Sequence, residues 1–335
     1  MKMVARPHRT NLVRWAADKP EALVLSADLT ASCEADLFRD TYPERFFSMG
    51  MGEQNMMSFA GGLAREGFFP FLHTFAVFLT RRPFDQLAMS VAYPNLPVRL
   101  LGFLPGITTP GGVTHQAIDD VGLLRVVPNM RILECGDATD VESVLDVAQG
   151  IDGPVYVRML RGELPRLFSA DAPMRFGRAR VLGDGDDILV LSSGICTEEA
   201  LRAVGALRRH GVSIRHLHIS TLKPFDDSSV DEALANAGRG VVTLENHSVI
   251  GGLGSAVAER MAELATGVRL VRLGLQDRYA HGASRPYLMA RYGIDAAALV
   301  KAVEGLLDSN FEIQPDELVL PSTGRDGESV NPEAL

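Results

Sequence analysis

The sequence predicts an α/β protein that is built from two doubly wound domains. Short apolar runs alternate with helix-length stretches from one end of the chain to the other, which is the pattern of strands connected by helices in a parallel sheet. A polar, proline-containing segment without periodicity, residues 164–177, interrupts this alternation. The length of 335 residues suggests about two domains of roughly 150 residues each. We therefore expect a first domain at residues 1–165, a linker at 166–177, a smaller α/β domain at 178–308 and an acidic tail at 309–335.

The first domain is predicted to contain a five-stranded parallel sheet. Each strand is a short apolar run, as expected for strands that are buried on both faces. The stretches between the strands are long enough for helices and show a helical pattern. The predicted strands are Ala22–Ser26, Phe69–His73, Val98–Phe103, Arg131–Cys135 and Val155–Met159, and the predicted helices lie near Glu53–Arg65, Phe84–Ala92, His115–Leu124 and Asp140–Ala148.

The same alternation predicts the second, smaller domain, which the acidic tail follows. Its strands are expected at Ile188–Ser192, Ser213–Ile219, Gly240–Leu244 and Val268–Leu273, with helices near Thr197–Arg209, Ser228–Ala235 and Ser255–Leu264. From Asn310 onward the chain holds one basic residue, Arg325, and several acidic ones, so we expect it to wrap over the surface or to fray. The acidic residues are Glu312, Asp316, Glu317, Asp326, Glu328 and Glu333.

Composition and charge exclude several classes of protein. Hydrophobic residues make up 46% and charged residues 22% of the chain, which is usual for a globular protein and excludes a disordered or fibrous one. The net charge of −9 without any basic run argues against a nucleic-acid partner. Because Cys33, Cys135 and Cys196 form no C-x-x-C pair, neither a disulfide framework nor a zinc cluster is expected.

The sequence also carries no sign of a membrane segment. A run of about 20 apolar residues, the length that crosses a bilayer, does not occur. The first residues, MKMVARPHRTNLVRW, lack the apolar core of a signal peptide. We therefore expect a cytoplasmic protein that does not bind a membrane.

One segment supplies a carboxylate in apolar surroundings, and the next supplies a pair of aromatic rings. In SMGMGEQNMMSFAGGLAREG, Glu53 begins an apolar helix, where the helix dipole alone would favour an acidic residue. A carboxylate in such surroundings can also share a proton with a heteroaromatic nitrogen. In FFPFLHTFAVFLTRRPFDQL, Phe75 and Phe78 lie three residues apart and would share one helical face, a spacing that core packing explains more often than a cofactor does. Arg81 and Arg82 are surface charges or ligands of an anion.

Two further segments place a histidine and arginines near the edge where ligands are expected. GITTPGGVTHQ is a Gly-rich loop that leads into the helix predicted near His115, whose imidazole could move protons or have a structural role. In VRMLRG, Arg158 and Arg161 follow a buried strand, and ligands of doubly wound sheets collect at the carboxyl ends of strands. Either arginine suits a phosphate or carboxylate ligand. A salt bridge between the two domains explains them as well.

Two glycine-rich segments resemble ligand-binding motifs but lack an essential residue. NHSVIGGLGSAV would need glycine in place of Val257 to complete G-x-G-x-x-G, and a tight strand-to-helix turn explains it. GDGDD, residues 183–187, resembles a motif that holds magnesium diphosphate, but the asparagine of that motif is absent. Its flanks predict a β-turn between two strands. We therefore assign a binding role to neither segment.

Taken together, the remaining motifs resemble the C-terminal half of transketolase, in the order and spacing of that family. The resemblance covers roughly residues 5–307 and rests on the joint pattern G-x-x-E-Q, T-F-x-x-F, T-H-Q and V-x-N-M. It extends to DGDDILVLSSG, LHISTLKPFD and LENHSVIGGLGSAVAE. It implies a pyrimidine-binding domain followed by a smaller transketolase C-terminal domain, both of them α/β.

The resemblance implies that the first domain binds thiamine diphosphate. Glu53 matches the glutamate that bonds N1′ of the cofactor aminopyrimidine. Phe75 and Phe78 match the aromatic residues around that ring, with Phe78 as the stacking partner. His115 matches the histidine beside the carbonyl and hydroxyls of the substrate. The positions that match the sugar-phosphate site are Arg161, Ser32 and Arg6.

The resemblance also implies a partner chain. The magnesium-diphosphate motif of transketolase lies in a further N-terminal domain, which this sequence does not contain. We therefore expect one subunit of a split transketolase that is inactive alone and acts on sugar phosphates. A separate diphosphate-binding chain would complete the site and bind most of the Mg²⁺. A 2+2 heterotetramer is the expected assembly.

The loop before His115 departs from the family pattern. Phe103, Pro110 and Gly111 stand where members usually carry His, Glu and Asp, and the lost His and Asp normally contact sugar hydroxyls. Fewer polar partners and more space suggest a donor that is branched or modified beyond C2. The specific expectation is apulose 4-phosphate, whose branched C3 would use the room at Gly111.

Three other functions stay open from the sequence. Acyl transfer like that of deoxyxylulose-phosphate synthase, and the β chain of a 2-oxo-acid dehydrogenase, would use the same cofactor. The dehydrogenase chains usually carry Q-H-S where this chain has T-H-Q. A non-catalytic regulatory or scaffold subunit would have no need of Glu53, Phe78 and His115 together.

Overall fold

The computed structural model describes residues 2–320, and the first half of the chain alternates strands with helices. The strands predicted at Ala22–Ser26 and Val155–Met159 and the helix predicted at Glu53–Arg65 are confirmed to the residue. A π-helical turn, Leu87–Ala92, continues helix α5. In chain order the elements are β1 (Met3–Ala5), α1 (Pro7–Trp15), β2 (Ala22–Ser26), α2 (Asp36–Thr41), β3 (Phe46–Ser48), α3 (Glu53–Arg65), β4 (Phe69–Phe75), α4 (Ala76–Arg81), α5 (Phe84–Gln86), β5 (Arg99–Phe103), α6 (Asp120–Arg125), β6 (Arg131–Glu134), α7 (Ala138–Gln149), β7 (Val155–Met159) and β8 (Glu163–Pro165).

The second half of the chain repeats the alternation. Its four predicted strands and three predicted helices are present with shifts of a few residues at their ends. The elements are β9 (Arg180–Gly183), β10 (Ile188–Ser192), α8 (Cys196–Arg209), β11 (Ile214–His218), β12 (Thr221–Lys223), α9 (Ser228–Ala235), β13 (Gly240–Ser248), α10 (Leu253–Glu263), β14 (Leu270–Leu275), α11 (Arg285–Tyr292) and α12 (Ala296–Leu307).

The strands form two main sheets. The first has seven strands in the order β12-β6-β7-β5-β4-β2-β3, all parallel to their neighbours except β12. The second has the order β14-β13-β10-β11-β9, with only β9 antiparallel. Strand β12 follows β11 of the second sheet in the chain and yet pairs with β6 of the first. Main-chain hydrogen bonds therefore join the two halves of the molecule.

The helix predicted at His115–Leu124 is wrong. The chain forms a short 3₁₀ turn at Val113–His115, and α6 begins only at Asp120. Between them Gln116 has an extended backbone (φ −101°, ψ 114°), and Ala117 forms a bridge with the loop that follows β5. Because this pairing to a neighbouring loop ends the helical turn, the imidazole lies on a turn and not at a helix start.

The described part of the acidic tail, residues 309–320, packs on the surface. The carboxylate of Glu317 lies 2.9 Å from Nε2 of His210, which follows α8. The side chain of Arg209 donates to the carbonyl of Glu317. The expectation that the tail wraps over the surface is therefore confirmed for this part, and the rest of the predicted tail lies outside the described residues.

Two buried histidines pair inside the first domain. Nε2 of His8 on α1 lies 3.0 Å from Nε2 of His73 on β4, and the ring of Phe103 packs against both. Because Nδ1 of His73 donates to the carbonyl of Phe71, its Nε2 accepts the hydrogen that His8 donates. Burial lowers the pKa of His73 to about 4 and holds the pKa of His8 well below its usual range. Both side chains are therefore neutral in the folded protein at neutral pH.

Buried neutral histidines should make the protein less stable in acid, and His216 on β11 allows this expectation to be tested. Burial lowers its pKa to about 3, whereas an unfolded histidine titrates near 6.5. Below that pH the unfolded chain takes up a proton that the folded chain does not, so the free energy of unfolding should fall by about 2 kcal/mol per such histidine by pH 5. Denaturant titrations at about pH 7 and about pH 5 should show a smaller loss for His216→Asn than for wild type. Equal losses in both proteins would contradict this account.

Candidate active site

Glu53 is a buried carboxylate at the first position of α3. Only 4% of its side chain is exposed, because Met56, Met57 and Ala60 on the same helix pack into the core and draw its first turn inward. Oε1 of Glu53 accepts a hydrogen bond from Nη1 of Arg82 at 2.6 Å. The side chain of Arg82 is 47% exposed. The buried negative charge is therefore balanced by a cation that borders solvent.

Three aromatic rings lie beside this ion pair. Phe75 ends β4 and Phe78 lies on α4, and their rings stack with centroids 5.9 Å apart. The imidazole of His115 meets both rings at a steep angle, at 6.2 and 5.4 Å. The guanidinium of Arg82 covers the ring of Phe78, with Cζ 3.9 Å from the centroid. The structure thus brings together the four residues that the resemblance assigns to the cofactor ring and the reacting carbonyl.

The extra space expected in the loop before His115 is filled in this structure. A Cβ atom at Gly111 would lie 3.1 Å from Cβ and Cγ of His115. Phe103 is fully buried in the core and therefore opens no room beside the imidazole. The carbonyl of Pro110 faces Gly282 of the second domain, where an added Cβ would lie 2.7 Å from it. The loop therefore packs against His115 and Gly282, although Pro110 and Gly111 themselves are exposed.

Arg6, Ser32 and Arg161 form a second group next to the rings. Nη1 of Arg161 donates to the carbonyl of Ser32 at 2.9 Å, and its Cζ lies 6.0 Å from the ring centroid of Phe75. The backbone amide of Arg6 donates to the carbonyl of Gly162 at 2.7 Å. Both arginines are exposed, and neither forms a salt bridge with a carboxylate in residues 2–320. Such a pair of guanidinium groups can bind an anion.

Two other arginines have structural partners. Arg81, whose role the sequence left open, pairs with Asp119 at 2.8 Å. Arg158 is 1% exposed, and its two salt-bridge partners, Asp120 and Glu134, both lie in the first domain, so the inter-domain salt bridge that the sequence allowed is wrong for this residue. Its Nε donates to Asp120 at 2.8 Å and its Nη2 donates to the carbonyl of Asn246 on β13 at 3.0 Å. Arg158 therefore holds the two domains together and does not face the group formed by Arg6, Ser32 and Arg161.

Both glycine-rich segments that the sequence analysis set aside have internal partners. Glu245 accepts hydrogen bonds from the amides of Leu253 and Gly254 at 2.6 and 2.8 Å, so a side chain of the protein itself occupies the anion position at the start of α10. The segment at residues 183–187 connects β9 to β10, and the amide of Asp187 donates to the carbonyl of Ser213 at 2.9 Å.

Two further features are absent from the part of the chain that the structure describes. Residues 2–320 contain no cluster of three or more His, Cys, Asp or Glu side chains that could hold a metal ion. Within the same residues no helix has both the length and the apolar character needed to cross a membrane.

Sequence reasoning passed over one buried residue in this region, Glu34. Its side chain is 3% exposed, and it accepts hydrogen bonds from the amides of Gly162 and Arg9. Burial raises the pKa of Glu34, although these amides and the charges of Arg6 and Arg161 act in the opposite direction. The bond to Gly162 spans 128 residues of chain, so no local pattern could have indicated it.

The fold and this region define a two-domain α/β protein in which a buried carboxylate, aromatic rings and an arginine pair adjoin at the ends of parallel strands. Residues 8–166 match the family described as "Transketolase, pyrimidine binding domain", and residues 177–299 match "Transketolase, C-terminal domain". The chain therefore belongs to the transketolase family. The predicted fold class of two such α/β domains is confirmed.

Three known proteins illustrate the similarity. The "6-deoxy-6-sulfo-D-fructose transketolase subunit SqwH" of Clostridium sp. (strain MSTE9) is 37% identical, over 90% of this chain and 93% of its own. A solved structure described as "Split gene transketolase, inactive beta4 tetramer" has a TM-score of 0.81 at 38% identity, covering 90% of this chain and 97% of that one. The "1-deoxy-D-xylulose-5-phosphate synthase 1" of Geobacter sulfurreducens is 33% identical over 88% of this chain but only 47% of its own length.

Proposed function

We propose that this chain is one subunit of a split, thiamine-diphosphate-dependent transketolase that moves a two-carbon ketol unit from a ketose phosphate to an aldose phosphate. The observation that carries the proposal is the buried carboxylate of Glu53 beside the stacked rings of Phe75 and Phe78, in a chain of the transketolase family. Similarity to a sulfofructose transketolase subunit and to a split gene transketolase supports it.

The residues around Glu53 fit the aminopyrimidine of thiamine diphosphate. Glu53 would bond N1′, because its present partner, Arg82, borders solvent and can release the carboxylate at low cost. Phe78 would stack on the ring with the face that Arg82 now covers, and Phe75 would support it from the side. When bound, thiamine diphosphate supplies the electron sink for carbon–carbon bond cleavage.

The neighbouring residues suit the sugar substrate. His115 lies against the edge of the same rings and would hold or move a proton at the carbonyl and hydroxyls of the substrate. Cζ of Arg161 lies 6.0 Å from the ring centroid of Phe75. Cofactor and substrate would therefore bind side by side. The anionic end of the sugar would lie on the group formed by Arg6, Ser32 and Arg161.

A separate N-terminal transketolase chain would hold the diphosphate and most of the Mg²⁺. The similar split gene transketolase is described as an inactive β4 tetramer, which supports activity only in the presence of the partner chain. The proposed active form is a 2+2 heterotetramer.

Two donors are proposed for the assembled enzyme. A branched donor such as apulose 4-phosphate stays a prediction, and it requires the loop of His115 to shift, because the imidazole fills the space beside Gly111. A donor with a sulfonate end, as in the name of the SqwH relative, needs no space at that position. Both donors carry an anion at the end away from the reacting carbonyl.

Acyl transfer is the second candidate function. The similarity to a deoxyxylulose-phosphate synthase over about half of that enzyme favours it. The donor would then be pyruvate, and the same Glu53, Phe78 and His115 would serve. The β chain of a 2-oxo-acid dehydrogenase would instead need a lipoyl-protein acceptor.

Calorimetric titration of thiamine diphosphate and Mg²⁺ tests the split site directly. The titrated samples are this chain, a G-D-G-bearing candidate partner, and their mixture. Because the pyrimidine residues and the diphosphate residues would lie on different chains, we expect tight binding only in the mixture. The same mixture should then transfer a two-carbon unit from a ketose phosphate.

Each other outcome of this titration contradicts a named part of the proposal. Tight binding by this chain alone would show that it needs no partner for the diphosphate. Binding in the mixture with pyruvate as the only productive donor would replace transketolase activity with acyl transfer. A mixture that binds no better than its components, with every candidate partner, would favour a scaffold role.

A further inference from the structure

Glu34 connects the three segments that carry the proposed anion-binding residues. It lies two residues after Ser32, its Oε1 accepts from the amide of Gly162 at 2.6 Å, and its Oε2 accepts from the amide of Arg9 in the first turn of α1. Gly162 follows Arg161, and its carbonyl accepts from the amide of Arg6. One buried carboxylate thus fixes the backbone on which Arg6, Ser32 and Arg161 are mounted.

Glu34 also sets the charge of this group. The charges of Arg6 and Arg161 act on its carboxylate, as does the charge of Arg9. The nearby Arg9 is neutralised by its own partner, Asp36, at 2.9 Å. Two positive charges and one buried negative charge leave one net positive charge where the anionic end of the substrate would lie.

We infer that Glu34 is a positioning and specificity-determining residue that adapts this anion site to a singly charged group, a sulfonate, in preference to a phosphate. This inference rests on the proposed function. A sulfonate carries one negative charge at any physiological pH, whereas a phosphate monoester carries about 1.5 to 2 near pH 7. A site with one net positive charge balances the former and leaves the latter partly uncompensated, beside a buried carboxylate that repels it.

The test compares two donors that differ only at this end, fructose 6-phosphate and 6-deoxy-6-sulfofructose, in the complex of this chain with its partner. Glycolaldehyde serves as acceptor because it has no anionic group that could occupy the same site. In Glu34→Gln the site has two net positive charges, so kcat/KM for the phosphate relative to the sulfonate should rise about tenfold, mainly through KM. If Glu34 had a purely structural role, the substitution would lower kcat/KM for both donors by the same factor.

Two further variants separate charge from position. Glu34→Asp keeps the charge and shortens the side chain, so both donors should lose kcat/KM while their ratio stays that of wild type. Asp40→Asn removes one negative charge from the exposed ion pair that Asp40 forms with Arg39 on α2. It should leave kcat/KM for both donors unchanged. A donor ratio in Glu34→Gln that equals the wild-type ratio, or that shifts toward the sulfonate, would overturn the inference.

A binding measurement keeps this inference distinguishable from the proposed function. Methanesulfonate and methyl phosphate are titrated into the full chain, and the Nε–H resonances of Arg6 and Arg161 are followed by NMR. We expect wild type to prefer methanesulfonate and Glu34→Gln to prefer methyl phosphate. If the preference is exchanged but neither donor is turned over, only the proposed transketolase activity is refuted. If the donors are turned over but the preference is not exchanged, only the role of Glu34 is refuted.

Discussion

Replacing Glu53 with glutamine should reduce turnover of the assembled enzyme by about a thousandfold or more while leaving the fold of this chain intact. The amide of glutamine cannot transfer a proton to N1′ of the aminopyrimidine, and general acid–base catalysis of this kind contributes about 10²- to 10⁴-fold. The structural cost is small. Arg82, the ion-pair partner of Glu53, is 47% exposed and can turn to solvent when the charge is removed.

The comparison is made on kcat with saturating donor and cofactor, alongside thermal unfolding of the chain. Glu66→Gln, an exposed carboxylate after the other end of α3, is the matched control and should behave as wild type. Full activity of Glu53→Gln in the complex would mean that this chain is a scaffold. A large drop in the unfolding temperature would instead assign Glu53 a structural role.

The fold was predictable wherever a strand is buried on both faces. Ala22–Ser26, Val155–Met159 and Ile188–Ser192 are mostly apolar segments, and each is found as predicted. Strand β12 has no such signal because it has three residues and is defined by its pairing with β6, which lies about ninety residues earlier in the chain. The turn at His115 was missed for the same reason. Its neighbours follow a pairing between loops and not their local helical pattern.

The site residues also fall into those that local motifs indicate and those whose roles depend on distant partners. Glu53, Phe78 and His115 were named through a family resemblance that local motifs carry, and the structure brings their side chains together. Arg82 and Glu34 were left open or passed over, because their roles depend on partners 29 and 128 residues away in the chain. Residue type alone could not distinguish a surface arginine from one that covers an aromatic face.

Loss of Arg158 should cost much of the stability of the folded chain. Its guanidinium bonds Asp120 at 2.8 Å and Glu134 at 2.5 Å, and all three side chains are at most 2% exposed. Burial alone lowers the pKa of Arg158, but Asp120 and Glu134 more than reverse that effect. The hydroxyl of Tyr156 also donates to Asp120, at 2.6 Å. Removing the arginine would leave two buried carboxylates without their counter-charge.

We therefore expect Arg158→Met to lower the free energy of unfolding by about 3 to 5 kcal/mol, measured in urea at neutral pH. Arg125→Met is the matched control, because Arg125 also bridges the domains but pairs with Glu259, whose side chain is 62% exposed. It should cost about 1 kcal/mol or less. Neutralising the stranded carboxylates in Arg158→Met with Asp120→Asn and Glu134→Gln should recover much of the loss, since methionine fills a similar volume. A triple variant no more stable than Arg158→Met would show that packing, and not uncompensated charge, makes Arg158 essential.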